Sequence, residues 1–189
     1  MLWIISLVAV ALFSPSALAH SGSTDGGFLA GIQHPVLGPD HLLAMLSVGI
    51  VSAMMGGRAI WTVPLTFVVF MIVGGLLGME RLYFPGVELG IAISVILLGA
   101  AIAFDRGLSV TWVMAFVALF GIVHGHAHGY EMPALAKPWT YALGFTVGTA
   151  GIHIAGVFIA LPATRHVGYR NGLRVVGAAI VAAGVYFLI

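Results

Sequence analysis

Six apolar segments, at about 28–55, 60–79, 87–104, 108–129, 137–161 and 173–189, follow one another with only short charged or Gly/Pro-containing turns between them. Most approach the roughly 20 residues that a helix needs to cross a bilayer core. A chain divided in this way has no room for a soluble domain, and lipid leaves it little choice of structure. Backbone amides without water must be satisfied inside their own segment, so each segment should fold as a helix. Composition supports this: of 189 residues, 61% are hydrophobic and 7% charged, whereas a soluble domain carries about 25% charged residues. The expectation is an all-α, polytopic membrane helix bundle.

Residues 1–19, MLWIISLVAVALFSPSALA, combine an apolar core with Ser14-Pro15-Ser16 and a small-residue site, Ala17-Leu18-Ala19. This is the pattern of a cleaved export signal. The chain then divides into a signal peptide at 1–19 and a six-helix transmembrane domain at 20–189. Cleavage would expose His20 as the mature N-terminus, where a terminal amine beside an imidazole can chelate a metal. With that end outside, Arg58, Arg106, Arg165, Arg170 and Arg174 fall inside, against Arg81 and Lys137 outside. That asymmetry obeys the positive-inside rule and places both mature termini on the outer side.

Seven Lys+Arg stand against six Asp+Glu with no basic run, which argues against nucleic-acid binding. The absence of cysteine excludes disulfides, thiolate metal sites, iron–sulfur clusters and cysteine nucleophiles. Most of the 26 glycines read as points of close helix packing in lipid.

Polar chemistry enters the apolar segments at two places. The first span contains His34-Pro35-Val36-Leu37-Gly38-Pro39-Asp40-His41-Leu42-Leu43-Ala44-Met45. Two prolines and a glycine so close together cannot continue a regular helix, so this first span should be broken there. Non-helical backbone at membrane depth survives only when buried in protein or lining a wet cavity. Pro39 suits the first position of a restarted helix, which puts Asp40 and His41 in its first turn. Met45, one turn beyond His41, offers a thioether, but the simpler reading is a core methionine.

The fourth span ends in His124-Gly125-His126-Ala127-His128-Gly129-Tyr130-Glu131-Met132-Pro133. At 100° per residue, His124, His128 and Glu131 share a helix face, and His126 points away from it. The spacing is not the HExxH of a zinc protease. His153, in the fifth span and far from any charged turn, reads as a deeper relay site. His166, among Arg165 and Arg170, reads as solvated.

A single histidine in a helix bundle is ordinarily an interhelical hydrogen bonder. A cluster is harder to explain as packing, because each ionisable group placed inside a bilayer costs about 2.5–3.5 kcal/mol on insertion scales. His34, Asp40, His41, His124, His128 and Glu131 all fall at the outer ends of their spans and are the expected metal-binding residues. His20, His126 and His153 are additional candidates. Imidazole and carboxylate donors suit nickel, cobalt, zinc or iron(II) and disfavour copper(I), while calcium and magnesium want an oxygen-rich shell. A site that passes an ion must also release it, and such donors meet that compromise better than a closed thiolate cage.

HPVLGPDHLLAM and HGHAHGYEMP resemble the two signatures of the HupE/UreJ family of nickel or cobalt permeases, linked to hydrogenase and urease maturation. The resemblance covers essentially the whole mature chain. It implies metal handling by His34, Asp40 and His41 from the first motif and His124, His128 and Glu131 from the second. It also implies uptake into the cytoplasm without an ATPase module. The resulting expectation is a secondary transporter in the inner membrane of a bacterium, with both mature termini periplasmic, that imports Ni²⁺ or Co²⁺ and accepts Zn²⁺ as a surrogate. No cofactor would be permanently bound, and its partners would be the ion and membrane lipid. Two competing readings use the same donors: an intramembrane metalloenzyme with an open coordination position for water, and a membrane metal sensor that binds without transporting.

Overall fold

The computed structural model describes residues 27–105, 107–134 and 136–189, and no strand occurs among them. The expected signal peptide at 1–19, His20 and Arg106 lie outside the described residues. Seven helices follow: α1 (Gly27–Leu37), α2 (Pro39–Met55), α3 (Ala59–Met79), α4 (Val87–Phe104), α5 (Val110–Tyr130), α6 (Pro138–Ala160) and α7 (Val167–Tyr186). A 3₁₀ turn, Leu161–Thr164, joins the last two.

Helices α3 to α6 are each long and apolar enough to cross a membrane, and α1 and α2 qualify only as a pair, bent by 81°. The bend sits where the proline motif predicts it. Pro35 is tolerated in the last turn of α1, Gly38 takes an extended conformation (φ −81°, ψ 109°), and Pro39 opens α2. An opening proline loses nothing, since the first amides of a helix have no partner within it.

Of the six spans expected, the described residues thus give four single helices and one broken pair by length and composition. The last expected segment forms α7, but that helix begins at Val167 and takes in Arg170, Asn171 and Arg174 before its apolar part. Those polar side chains keep it below the apolarity of the other spans.

Glycine sets how closely the helices approach. On α3, Gly74 and Gly78 are four apart, as are Gly121, Gly125 and Gly129 on α5. A Cβ on Gly125 would strike the Met71 carbonyl, and one on Gly78 would strike the His126 carbonyl. Without a hydrophobic drive between helices in lipid, such backbone contact is what holds a pair together. The same device joins α4 to α7 at Gly99 and Gly177, α1 to α6 at Gly31 and Gly144, and α2 to α6 at Gly49 and Gly156.

Because each short connection reverses the chain, charges gather at two ends. Arg58, Asp105, Arg165, Arg170 and Arg174 lie at one, and Glu80, Arg81, Glu88, Glu131 and Lys137 at the other. Arg170 pairs with Asp105 and staples α7 to α4. At the opposite end the Arg81 guanidinium donates to the Tyr130 carbonyl (2.9 Å), a cation at the negative end of the α5 dipole. Between these ends Phe67, Met71, Met45, Tyr141 and Phe145 are fully buried, while Trp61, Leu65, Trp112, Phe116 and Phe158 face outward, Trp61 and Trp112 each 69% exposed. An apolar outer surface on this scale fits lipid rather than water.

Candidate metal centre

The break between α1 and α2 lies well inside the bundle: Ile32 and Pro35 pack against Gly148, about halfway along α6. From there α1 presents His34, and the first turn of α2 presents Asp40 and His41. The last two turns of α5 bring His124 and His128 to the same place, and Glu131 follows at the end of that helix. His41, His124 and His128 are buried, with relative exposures of 6%, 0% and 0%.

The rings lie close together. The centroid of His41 is 4.6 Å from that of His128 and 5.1 Å from that of His124, and His34 is 4.8 Å from His128 and 6.1 Å from His41. Two imidazoles bound to one ion at metal–nitrogen distances of about 2.0–2.1 Å have centroids roughly 5 Å apart at a tetrahedral angle. Glu131 Oε2 is 3.0 Å from His34 Nε2 and joins the cluster from the end of α5. The His34 hydrogen bond holds the Glu131 carboxyl, which lies just beyond the end of α5, below its usual range. All six side chains expected at the site are therefore brought to one region. No three of the His, Asp or Glu side chains among the described residues are already posed around a single ion.

The hydrogen bonds select the nitrogens that remain free. The His41 amide donates to Asp40 Oδ1 (2.8 Å), and His41 Nδ1 lies 3.0 Å from the same oxygen. Asp40 thus orients the ring through Nδ1–H, and the buried Nε2 has no hydrogen-bond partner. His124 Nδ1 donates to the Phe120 carbonyl (2.9 Å), which again leaves a buried, unpartnered Nε2. Neither nitrogen of His128 is partnered. Orientation of an imidazole through one nitrogen by a carboxylate or carbonyl, with the other left as a lone pair, is the usual preparation of a metal ligand.

The additional candidates sit elsewhere. His126 lies on the opposite face of α5, with Nε2 2.7 Å from the Leu82 carbonyl and its ring stacked on Tyr130. His153, 1% exposed on α6, lies deeper, edge-on to Phe67 at 5.1 Å, and Phe67 in turn contacts His124 at 5.4 Å. His166 is exposed at the start of α7.

Four neighbours were not foreseen. Phe145 stacks on His128 at 5.3 Å, and Tyr141 stands edge-on to His34 at 6.2 Å with its buried hydroxyl unpartnered. Glu88, in the first turn of α4, lines with Glu131, His126 and Tyr130 a cavity of about 350 Å³ at the bundle end that carries Glu80 and Arg81. Thr149 faces Met45 and Met71. One signal for three of these was available in the sequence, since Tyr141, Phe145, Thr149 and His153 recur every four residues along one slowly drifting face of α6. Glu88 joins the site only through tertiary packing.

The protein-family model described as HupE / UreJ protein matches residues 8–187. The chain belongs to the HupE/UreJ family. Protein HupE of Rhizobium leguminosarum bv. viciae is 38% identical over 186 residues, which cover 98% of this chain and 97% of that one. No solved structure matches. The HupE/UreJ proteins are nickel/cobalt permease-type accessory proteins tied to hydrogenase and urease, so the family that the two motifs resemble is the one to which the chain belongs.

Proposed function

We propose that this HupE/UreJ protein imports Ni²⁺ or Co²⁺ across the inner membrane of a bacterium for hydrogenase or urease maturation. The observation that carries the reading is the convergence of His41, His124 and His128. Their buried, unpartnered nitrogens come from two helices, and the His41 centroid stands 5.1 Å from His124 and 4.6 Å from His128, the spacing of two rings that share one ion.

The route begins in the outer cavity, where the carboxylates of Glu88 and Glu131 attract a hydrated cation. His34 releases Glu131 and joins the ion as its water is stripped. His41, oriented by Asp40, then shares it with His128 and His124. Neutral imidazoles hold a borderline ion firmly enough to replace water and loosely enough to release it. In this arrangement α7 is the sixth span, the signal at 1–19 is removed, both mature termini face the periplasm, and the arginine-rich end faces the cytoplasm.

Uptake of radiolabelled nickel and cobalt by cells that express the chain tests the reading. Accumulation of one or both ions above a vector control is expected. Accumulation of neither, with the protein present in the membrane, would overturn it.

A further inference from the structure

Five of the threonines bond to a carbonyl of their own helix or of the adjacent turn: Thr62 to Arg58, Thr66 to Thr62, Thr140 to Lys137, Thr146 to Ala142 and Thr164 to Leu161. Thr149 does not. Its Oγ1 lies 3.3 Å from Met45 Sδ and 3.4 Å from Met71 Sδ, and all three residues are fully buried. One hydroxyl proton cannot serve two sulfurs fully, so two thioethers and a hydroxyl from α2, α3 and α6 converge with donor electron pairs to spare.

One turn deeper on the same face of α6 is His153, 1% exposed with both ring nitrogens unpartnered. Buried imidazoles in a helix bundle normally find a partner. The ring of Phe67 stands between this histidine and His124, in edge contact with both.

We propose that Met45, Met71, Thr149 and His153 form a second, inner metal station, which takes a late transition-metal ion from His41, His124 and His128. The inference rests on the permease reading and extends it. Borderline divalent ions prefer imidazole to thioether, so the inner station binds more weakly than the outer one. A second, weaker site along the path lets an ion leave the first. Met45 is one turn from His41 on α2, as Met71 is from Phe67 on α3, so the outer cluster and the inner station share rigid elements.

The test uses the purified full chain, titrated with Ni²⁺ and read by equilibrium dialysis and nickel-edge X-ray absorption. The native protein is expected to bind two ions, the first among nitrogen and oxygen scatterers and the second with sulfur in its shell. Met45→Leu/Met71→Leu, which keeps side-chain volume nearly constant, should lose the second ion and the sulfur signal while keeping the first. Each single Met→Leu variant should halve the sulfur amplitude. His41→Ala should weaken the first ion and leave the sulfur-bound one.

A native protein that binds one nickel ion with no sulfur, or a sulfur signal unchanged in the double variant, would overturn the inner station and leave the proposed function standing. A native protein that binds neither nickel nor cobalt would overturn both. The native spectrum by itself reports whether sulfur is bound, so the test does not depend on the folding of any variant.

Discussion

At the scale of single residues, the chemistry depends on which nitrogen of each imidazole is committed. Asp40 holds His41 through Nδ1 and the Phe120 carbonyl holds His124 in the same way, so both rings offer Nε2 to an ion. Removing such an orienting carboxylate typically costs 10–100-fold in metal affinity, and removing a ligand costs at least as much. Asp40→Ala should therefore weaken nickel binding by about 10–100-fold and His41→Ala by more, whereas His166→Ala, on the exposed turn, should bind as the native protein does. Isothermal titration of the three purified variants checks the order. Equal losses in His166→Ala and His41→Ala would remove the distinction between buried cluster and solvated turn. Protonation gives a second handle. Imidazole must be neutral to bind a metal, with an ordinary pKa near 6.5, so protons compete with the ion as the pH falls. Glu131 is held below its usual range by His34, so it stays ionised between pH 7.5 and about 5 and cannot account for a loss there. Nickel affinity of the purified protein should fall across that interval, by up to about tenfold per pH unit for each imidazole that must shed a proton. An unchanged affinity would return the binding to the carboxylates.

Among the elements, the bundle depends on backbone contacts between α3 and α5 that only glycine permits. Gly125→Ala places a Cβ against the Met71 carbonyl, and since backbone cannot swing aside, the helices must separate at a cost of roughly 1–3 kcal/mol. Gly151, on the exposed face of α6, has nothing within reach of a Cβ, so Gly151→Ala should leave stability unchanged or raise it by up to about 1 kcal/mol through helix propensity. Thermal aggregation followed by size-exclusion chromatography should separate the two variants. Equal behaviour would contradict the packing described. This difference also marks what the sequence makes legible. Segment length and the proline motif predict the helices and the break at Gly38, because propensity and backbone chemistry act locally. The stripe of His124, His128 and Glu131 is likewise readable from the helical period. Which glycines touch a neighbour, and that Glu88 and Tyr141 join the site, depends on how distant helices pair, and one helix's periodicity carries no such information. The polar start of α7, with Arg170 and Arg174, is visible as residues, yet whether the helix begins before or after them is decided by its packing on α4 at Gly99 and by the Asp105 pair.

For the molecule as a whole, the separation of charge between two ends makes sidedness a property that can be read directly. The chain has no cysteine, so single substitutions report sidedness without background. Gly107→Cys and Thr164→Cys should react with an impermeant maleimide only after the cells are opened, and Tyr83→Cys and Ala134→Cys should react in intact cells. The reverse pattern would invert the orientation and turn the outer cavity of Glu88 and Glu131 into an exit. With orientation known, transport through the cluster is most directly examined with the purified chain in vesicles that hold a nickel-sensitive chelating dye. Native protein should quench the dye on addition of external Ni²⁺ or Co²⁺, and His41→Ala/His128→Ala, reconstituted to the same density, should not. Equal quenching by the two proteins would contradict a path through these histidines, and no quenching by the native protein would contradict transport itself.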